Sequence, residues 1–166
     1  PVSLCEKLIR TFSRANSCVL DPFNGIGSTT VAAQNLGCNA TGIDLSEDFC
    51  NIARQRVGVD DKSEIINGDS FEILKRLPEN HFDICVTSPP YWDILNMKRS
   101  ADQKDAVNYS NKANDVGNIA NYNEFIDTLS TLFSSVNRVL KKGGYCIDSG
   151  IEKITDGNSS QYERHL

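Results

Sequence analysis

Thr87-Ser88-Pro89-Pro90-Tyr91-Trp92 follows the short apolar run Phe82-Asp83-Ile84-Cys85-Val86. A buried strand that stops in a polar residue, two prolines and two aromatics makes a stiff lip at a cleft. Proline lacks an amide hydrogen and keeps the residue before it out of the helical region. Ser88 is therefore held extended, and the carbonyls of Ser88 and Pro89 have no local helical donors. Fixed acceptors beside an aromatic face suit a flat ring that bears an amine. Proline pairs also simply end strands, so the chemistry depends on what faces them.

A second constellation lies upstream. Residues 17–30 read Ser-Cys-Val-Leu-Asp-Pro-Phe-Asn-Gly-Ile-Gly-Ser-Thr-Thr, a strand, a glycine turn and a helix start. Gly25 and Gly27 allow the backbone to come close to a ligand, and the helix amides behind them attract negative charge. The dinucleotide fingerprint needs a third glycine where Thr30 stands, and the phosphate loop needs Gly-Lys-Ser/Thr, which is absent. Asp21 at the entrance would repel a pyrophosphate but suits an ammonium group. Asp44 ends the next predicted strand, roughly 20 residues on, where a carboxylate takes ribose hydroxyls. Asp69 ends the strand after that and is placed to accept from an adenine amino group. Each acid alone also reads as a helix cap or turn acid. Together the three stand at the carboxyl edges of consecutive parallel strands, where open α/β sheets bind ligands. A cationic, amine-bearing adenosine such as S-adenosylmethionine fits them better than a polyphosphate.

The elements that must position these residues follow from periodicity. Apolar residues at Leu4, Cys5, Leu8, Ile9 and Phe12 predict a helix over Val2–Phe12. Strands are predicted at 17–20, 40–45, 64–67, Phe82–Thr87 and 145–148. Helices are predicted at 28–36, from the Ser46 cap through Val57, at 70–77 and at 124–140. Alternation of this kind implies a doubly wound, mostly parallel α/β sheet covered on both faces. The polar stretch 93–121 has no periodicity and is read as a long loop, either functional or a surface insert.

Composition bounds the rest. At 166 residues and 39% hydrophobic the chain can bury one core, so a single domain is expected over 1–166. Its cofactor-binding half is placed at 1–81 and its catalytic half at 82–166. Net charge of −5 lacks the basic surplus of a free-standing nucleic-acid binder, so any such role needs a local basic patch. Six scattered cysteines without a C-x-x-C read as thiols in a reducing cytosol, and neither they nor the two histidines have metal-site spacing. No metal and no membrane span is expected, and the location read from this is cytoplasmic. The chain opens on Pro1 and stops at Leu166 without an evident closing element, which reads as a fragment.

With both constellations in view, the chain resembles the amino-methyltransferases of DNA, which methylate cytosine N4 or adenine N6. Asp21-Pro-Phe-Asn-Gly-Ile-Gly-Ser-Thr-Thr resembles the family's cofactor motif Asp-Pro-Phe-x-Gly-x-Gly-Thr-Thr, and Ser88-Pro89-Pro90-Tyr91 resembles its catalytic tetrapeptide. The stretch 4–9 is similar to the end of the helix that covers the methionine part of the cofactor. The resemblance implies a class I, Rossmann-like fold, with its last strands missing, and S-adenosylmethionine as cofactor. It assigns cofactor binding to Asp21, Phe23, Gly25, Gly27, Ser28, Thr29, Asp44 and Asp69. It assigns catalysis to Ser88, Pro89, Pro90 and Tyr91, with Tyr91 stacking on a base flipped out of DNA.

Motif order leaves no room for a recognition domain between the two motifs, so recognition is expected in the 93–121 loop or C-terminal to the catalytic half. Lys98, Arg99, Lys104 and Lys112 are possible phosphate contacts in that loop, although acids are interleaved among them. Serine at 88 leans the target toward cytosine N4. The alternatives are adenine N6, an RNA or protein-glutamine N-methyltransferase, or an inactive remnant that only binds cofactor. Cytosine C5 chemistry is disfavoured because it needs a Pro-Cys pair, which is absent. A companion restriction endonuclease and a nucleoid-associated location are what membership would imply.

Overall fold

The computed structural model describes residues 1–59, 61–90 and 115–148. Five strands form one sheet in the order β3-β2-β1-β4-β5, and every neighbouring pair is parallel. They are β1 (Cys18–Asp21), β2 (Asn39–Asp44), β3 (Ser63–Asn67), β4 (Phe82–Thr87) and β5 (Leu140–Asp148). Five helices connect them: α1 (Val2–Phe12), α2 (Ser28–Asn35), α3 (Glu47–Val57), α4 (Ser70–Arg76) and α5 (Tyr122–Val139). This is the expected doubly wound α/β arrangement.

The strands are apolar on both sides because helices cover both sides. On one face Val19, Ile84 and Val86 pack with Ile9 of α1 and the small Ala32 and Ala33 of α2. On the other, Leu20, Ile43 and Cys85 pack with Leu74 of α4 and Leu132 and Val136 of α5. Helix ends follow the local chemistry. Ser46 caps α3 by accepting from the Phe49 amide, and Gly58 closes it at φ 71°. Asn121 caps α5 by accepting from the Glu124 amide.

Two boundaries differ from expectation for definable reasons. α5 starts at Tyr122, two residues early, because the Asn121 cap outweighs the weak propensity of the residues after it. β5 starts at Leu140, five residues before the predicted 145. Gly143-Gly144 lies inside the strand as an irregularity, so Phe82 pairs with Leu140 while Ile84 pairs with Tyr145. Gly143 has φ 78°, and a Cβ on Gly144 would stand 3.0 Å from the Asp83 carbonyl oxygen. The two glycines thus let the strand bend instead of preceding it. The stretch 93–121 is not structureless where it is described. Val116–Asn118 forms a 3-10 turn, and Val116 is buried against Phe125 and Leu129.

The sheet order reverses between β1 and β4. In open α/β sheets the crevice at the carboxyl ends of such strands is where ligands bind.

Candidate functional site

The β1–α2 loop is held by backbone geometry only glycine adopts readily. Gly25 has φ 52° and Gly27 has φ 84°, both left-handed. The Asn24 amide donates to the Ile43 carbonyl at 2.9 Å, and the Asn24 carbonyl accepts from the Gly27 amide at 2.8 Å. A Cβ on Gly27 would meet Ala53 of α3 at 2.9 Å, so the loop is wedged against that helix. A Cβ on Gly25 would meet nothing within 4 Å, which leaves its backbone open toward a ligand.

Asp44, at the end of β2, fixes this loop from the side. One carboxylate oxygen accepts from the Gly25 amide at 2.7 Å and the other from the Ser46 amide at 2.8 Å. A carboxylate accepts up to about four hydrogen bonds, so these two are compatible with acceptance from a ribose diol. Asp69 caps α4, its Oδ1 accepting from the Phe71 amide at 2.9 Å. Ser70 beside it is buried and donates to the Pro22 carbonyl, which ties the start of α4 to the turn after β1.

Together these elements enclose a cavity of about 270 Å³. Phe23 and Gly25 form one wall, Asp44 and Asp69 stand at the strand ends, and Ser88, Pro89 and Pro90 form the opposite rim. The glycine turn and the proline lip therefore open onto one crevice. Phe49 and Phe71 add apolar wall on either side of the acids. Aromatic walls with a few fixed polar groups are the usual makeup of a site for a flat ring.

Not every expected residue is in that wall. Asp21, Gly27, Ser28 and Thr29 are not among its lining residues. Gly27 and Thr29 are buried, and Ser28, half-buried, opens α2. Thr29 donates to the Val86 carbonyl at 3.3 Å and lies 3.7 Å from the Cys5 sulfur, so it staples α2 to β4 and α1. Asp21 is 4% exposed and points inward. Its Oδ1 accepts from the Phe23 amide at 3.0 Å and from the Thr87 hydroxyl at 2.7 Å. Burial pushes this carboxyl up to about 6, against the pull of its hydrogen bonds to Thr29, Thr87 and Phe23. Packing at the β1–β4 junction thus holds Asp21 beneath the loop and out of the cavity wall. Tyr91, Trp92 and the basic residues of the loop lie outside the described residues.

Sequence reasoning missed several wall residues. Phe49 sits three residues after the Ser46 cap, so its place over the end of β2 was readable from the cap. Asp115 and Val116 also line the cavity, and they reach it from the stretch read as an aperiodic loop. Nothing local marks them.

Asn24 was also passed over. It is buried, its Oδ1 accepts from the Thr30 hydroxyl at 3.3 Å, and its Nδ2 has no partner among the described residues. Its side chain lies on Gly42, where a Cβ would come within 2.4 Å of it. Gly42→Ala is therefore expected to destabilise the protein by about 2–3 kcal/mol through overpacking. Urea unfolding measures this, and a loss under about 0.5 kcal/mol, the range of a neutral surface change, would show that the loop yields.

Cysteine chemistry is unremarkable at the site. Cys85 is fully buried, and its thiol is pushed well above the ordinary range by its contact with Cys146 and by burial. It is thus held as a neutral thiol. Among the described residues, no cluster of histidine, cysteine or acid side chains could hold a metal ion, and no helix is long and apolar enough to cross a membrane.

The fold is the class I, Rossmann-like arrangement also seen in S-adenosylmethionine-dependent methyltransferases. Solved relatives show the same architecture at low sequence identity. A TehB-like methyltransferase from Corynebacterium glutamicum is 16% identical with a TM-score of 0.53, over 87% of this chain and 60% of that one. A precorrin 8W decarboxylase from Methanobacterium thermoautotrophicum is 18% identical with a TM-score of 0.57, over 89% and 62%. Residues 1–55 match the family model described as DNA methylase. Over that stretch the chain is similar to the amino-methyltransferases of DNA.

Type II methyltransferase M.HinfI of Haemophilus influenzae is 40% identical over 57 residues, 34% of this chain and 16% of that protein. Type II methyltransferase M.SmaI of Serratia marcescens is 36% identical over 81 residues, 49% and 23%. A tRNA (guanine(10)-N2)-dimethyltransferase of Pyrococcus abyssi is 29% identical over 109 residues, 62% and 33%. The chain spans about a third or less of the length of these curated relatives.

S-adenosylmethionine is the cofactor indicated by the matched family model and the fold, and the cavity offers groups that suit it. Open backbone at Gly25, a fixed carboxylate at Asp44 and aromatic walls at Phe49 and Phe71 match an adenosine.

Proposed function

We propose that this chain carries the cofactor cavity and catalytic lip of a site-specific DNA methyltransferase that acts on an exocyclic base amine, cytosine N4 in the first place. The observation that carries this reading is the meeting of the Gly25 turn and the Ser88-Pro89-Pro90 lip in one cavity.

The bound cofactor supplies an electrophilic sulfonium methyl. The protein's task is alignment, because a base amine is a poor nucleophile whose lone pair is delocalised into its ring. Asp44 would accept from the ribose and Asp69 from the adenine amine of a bound cofactor, leaving its methyl end for the lip. The Pro89 carbonyl and the Ser88 hydroxyl accept from the target amine and turn its lone pair toward the methyl. Tyr91 stacks on the base, which must leave the duplex to reach the crevice. Serine in place of an acid or amide at 88 supports the cytosine assignment. The Type II names of two relatives support a companion endonuclease.

Mass spectrometry of nucleosides from DNA treated with the intact protein tests the reading. N4-methylcytosine is expected; N6-methyladenine would move the target but keep the class, and no methylated deoxynucleoside would refute it. A second reading, RNA methylation, draws support from the Pyrococcus relative, which matches over 109 residues. Methyl label in tRNA with none in DNA would establish that reading instead.

A further inference from the structure

We propose that Asp21 is a positioning residue that latches the cofactor loop to the catalytic lip, passing occupation of the cavity to Ser88–Pro90, residues 88–90, through Thr87. The proposal rests on the cofactor reading above and deepens it.

The geometry is specific. One oxygen of Asp21 receives both the Phe23 amide, from the wall of the cofactor cavity, and the Thr87 hydroxyl, from the last residue of β4. Phe23 lines the cavity, and Thr87 directly precedes Ser88 on its far rim. Thr87 is 3% exposed and Asp21 4%, so water does not compete for this contact. A shift of the loop on ligand binding must then either carry the lip with it or break a buried, charge-assisted bond.

Buried charge gives the latch a second handle. Were the ribose held at Asp44 with the methyl directed to the lip, the cofactor would span the β1–β4 junction, next to which Asp21 is buried. A cation there favours the ionised carboxylate. The titratable groups facing Asp21 among the described residues are Asp44 from β2, Cys5 from α1 and Cys85 from β4. Burial raises both thiols above their ordinary range, with the Cys146 contact the larger cause at Cys85, so Asp44 is the one group whose titration must be separated. The Asp21 carboxyl sits at about 6 without ligand, so cofactor affinity should rise as pH climbs through that value.

Calorimetry of S-adenosylmethionine binding between pH 5 and 8 tests this on the whole chain. A rise of about four- to sixfold in affinity is expected for the wild type, the size of a pKa lowered by somewhat under or about one unit on binding. Asp21→Asn should flatten the profile, which separates Asp21 from Asp44. Thr87→Val removes the hydroxyl donor and should move the midpoint upward, and Thr87→Ser should restore it. In methyl transfer, Thr87→Val should lower kcat by about tenfold with KM for cofactor within about threefold, because only the lip is released. A midpoint unmoved in Thr87→Val, or Thr87→Ser behaving like Thr87→Val, would overturn the latch. So would equal losses in cofactor binding and kcat. If wild-type protein methylates no DNA yet Thr87→Val still moves the binding midpoint, the latch stands and the DNA reading falls.

Discussion

Pro89→Ala is expected to lower methyl transfer at least about a hundredfold, since small misplacements of reacting groups cost that much, while cofactor affinity stays within about threefold. The proline ring restricts Ser88 to extended backbone and denies residue 89 an amide hydrogen. Alanine removes both constraints, so the two acceptors on the rim lose their fixed direction. In free-energy terms a hundredfold is about 2.7 kcal/mol of transition-state stabilisation. The β1 and β2 side of the cavity makes no use of that proline, which is why binding should survive. Single-turnover transfer of labelled methyl, run beside calorimetry, separates the two quantities. A loss confined to cofactor affinity would mean that the lip is part of the cofactor wall and has no role toward the base.

The second large effect is expected at Asp44. Asp44→Ala should weaken cofactor binding by about a hundredfold or more, because it removes a charge-assisted acceptor and leaves two amides without their partner. Those amides are Gly25 at 2.7 Å and Ser46 at 2.8 Å, so the loop loses its side support together with the ribose contact. At saturating cofactor, kcat should fall by less than about tenfold, since the lip is built on a different strand. Asp44→Asn keeps one acceptor oxygen and should lie between the two. Titration calorimetry with S-adenosylmethionine decides the matter. Affinity that is unchanged in Asp44→Ala would reduce Asp44 to a turn residue and move the ribose elsewhere.

Much of this was readable before any coordinates. The helix capped by Ser46 and closed by Gly58 follows from two residues and an apolar face, and it is found at Glu47–Val57. β4 was bounded by its own apolar run and by Pro89, and it is found at Phe82–Thr87. Where signals are local and agree, boundaries are set by them. They fail where a long-range contact decides. Gly143-Gly144 looked like the turn before a strand because glycine punctuates strands, but pairing with β4 draws both glycines into β5. Val116 looked like loop because its neighbours are polar, yet Phe125 and Leu129 of α5 bury it.

The chain's own order of residues determined the types of group available: three acids at strand ends, two left-handed glycines, and a proline-stiffened rim. It also determined that they lie on separate strands, since each motif closes its own apolar run. Only the tertiary structure decided which of them share a cavity. Strand order places β1 between β2 and β4, so Asp44 and Pro89 come to one crevice from opposite sides. It also decided that Asp21 turns inward, because Thr87, 66 positions away in sequence, stands beside it across the β1–β4 junction. Side-chain direction at such a junction is set by the neighbour strand's register, and register is a property of the sheet that no single stretch of sequence contains.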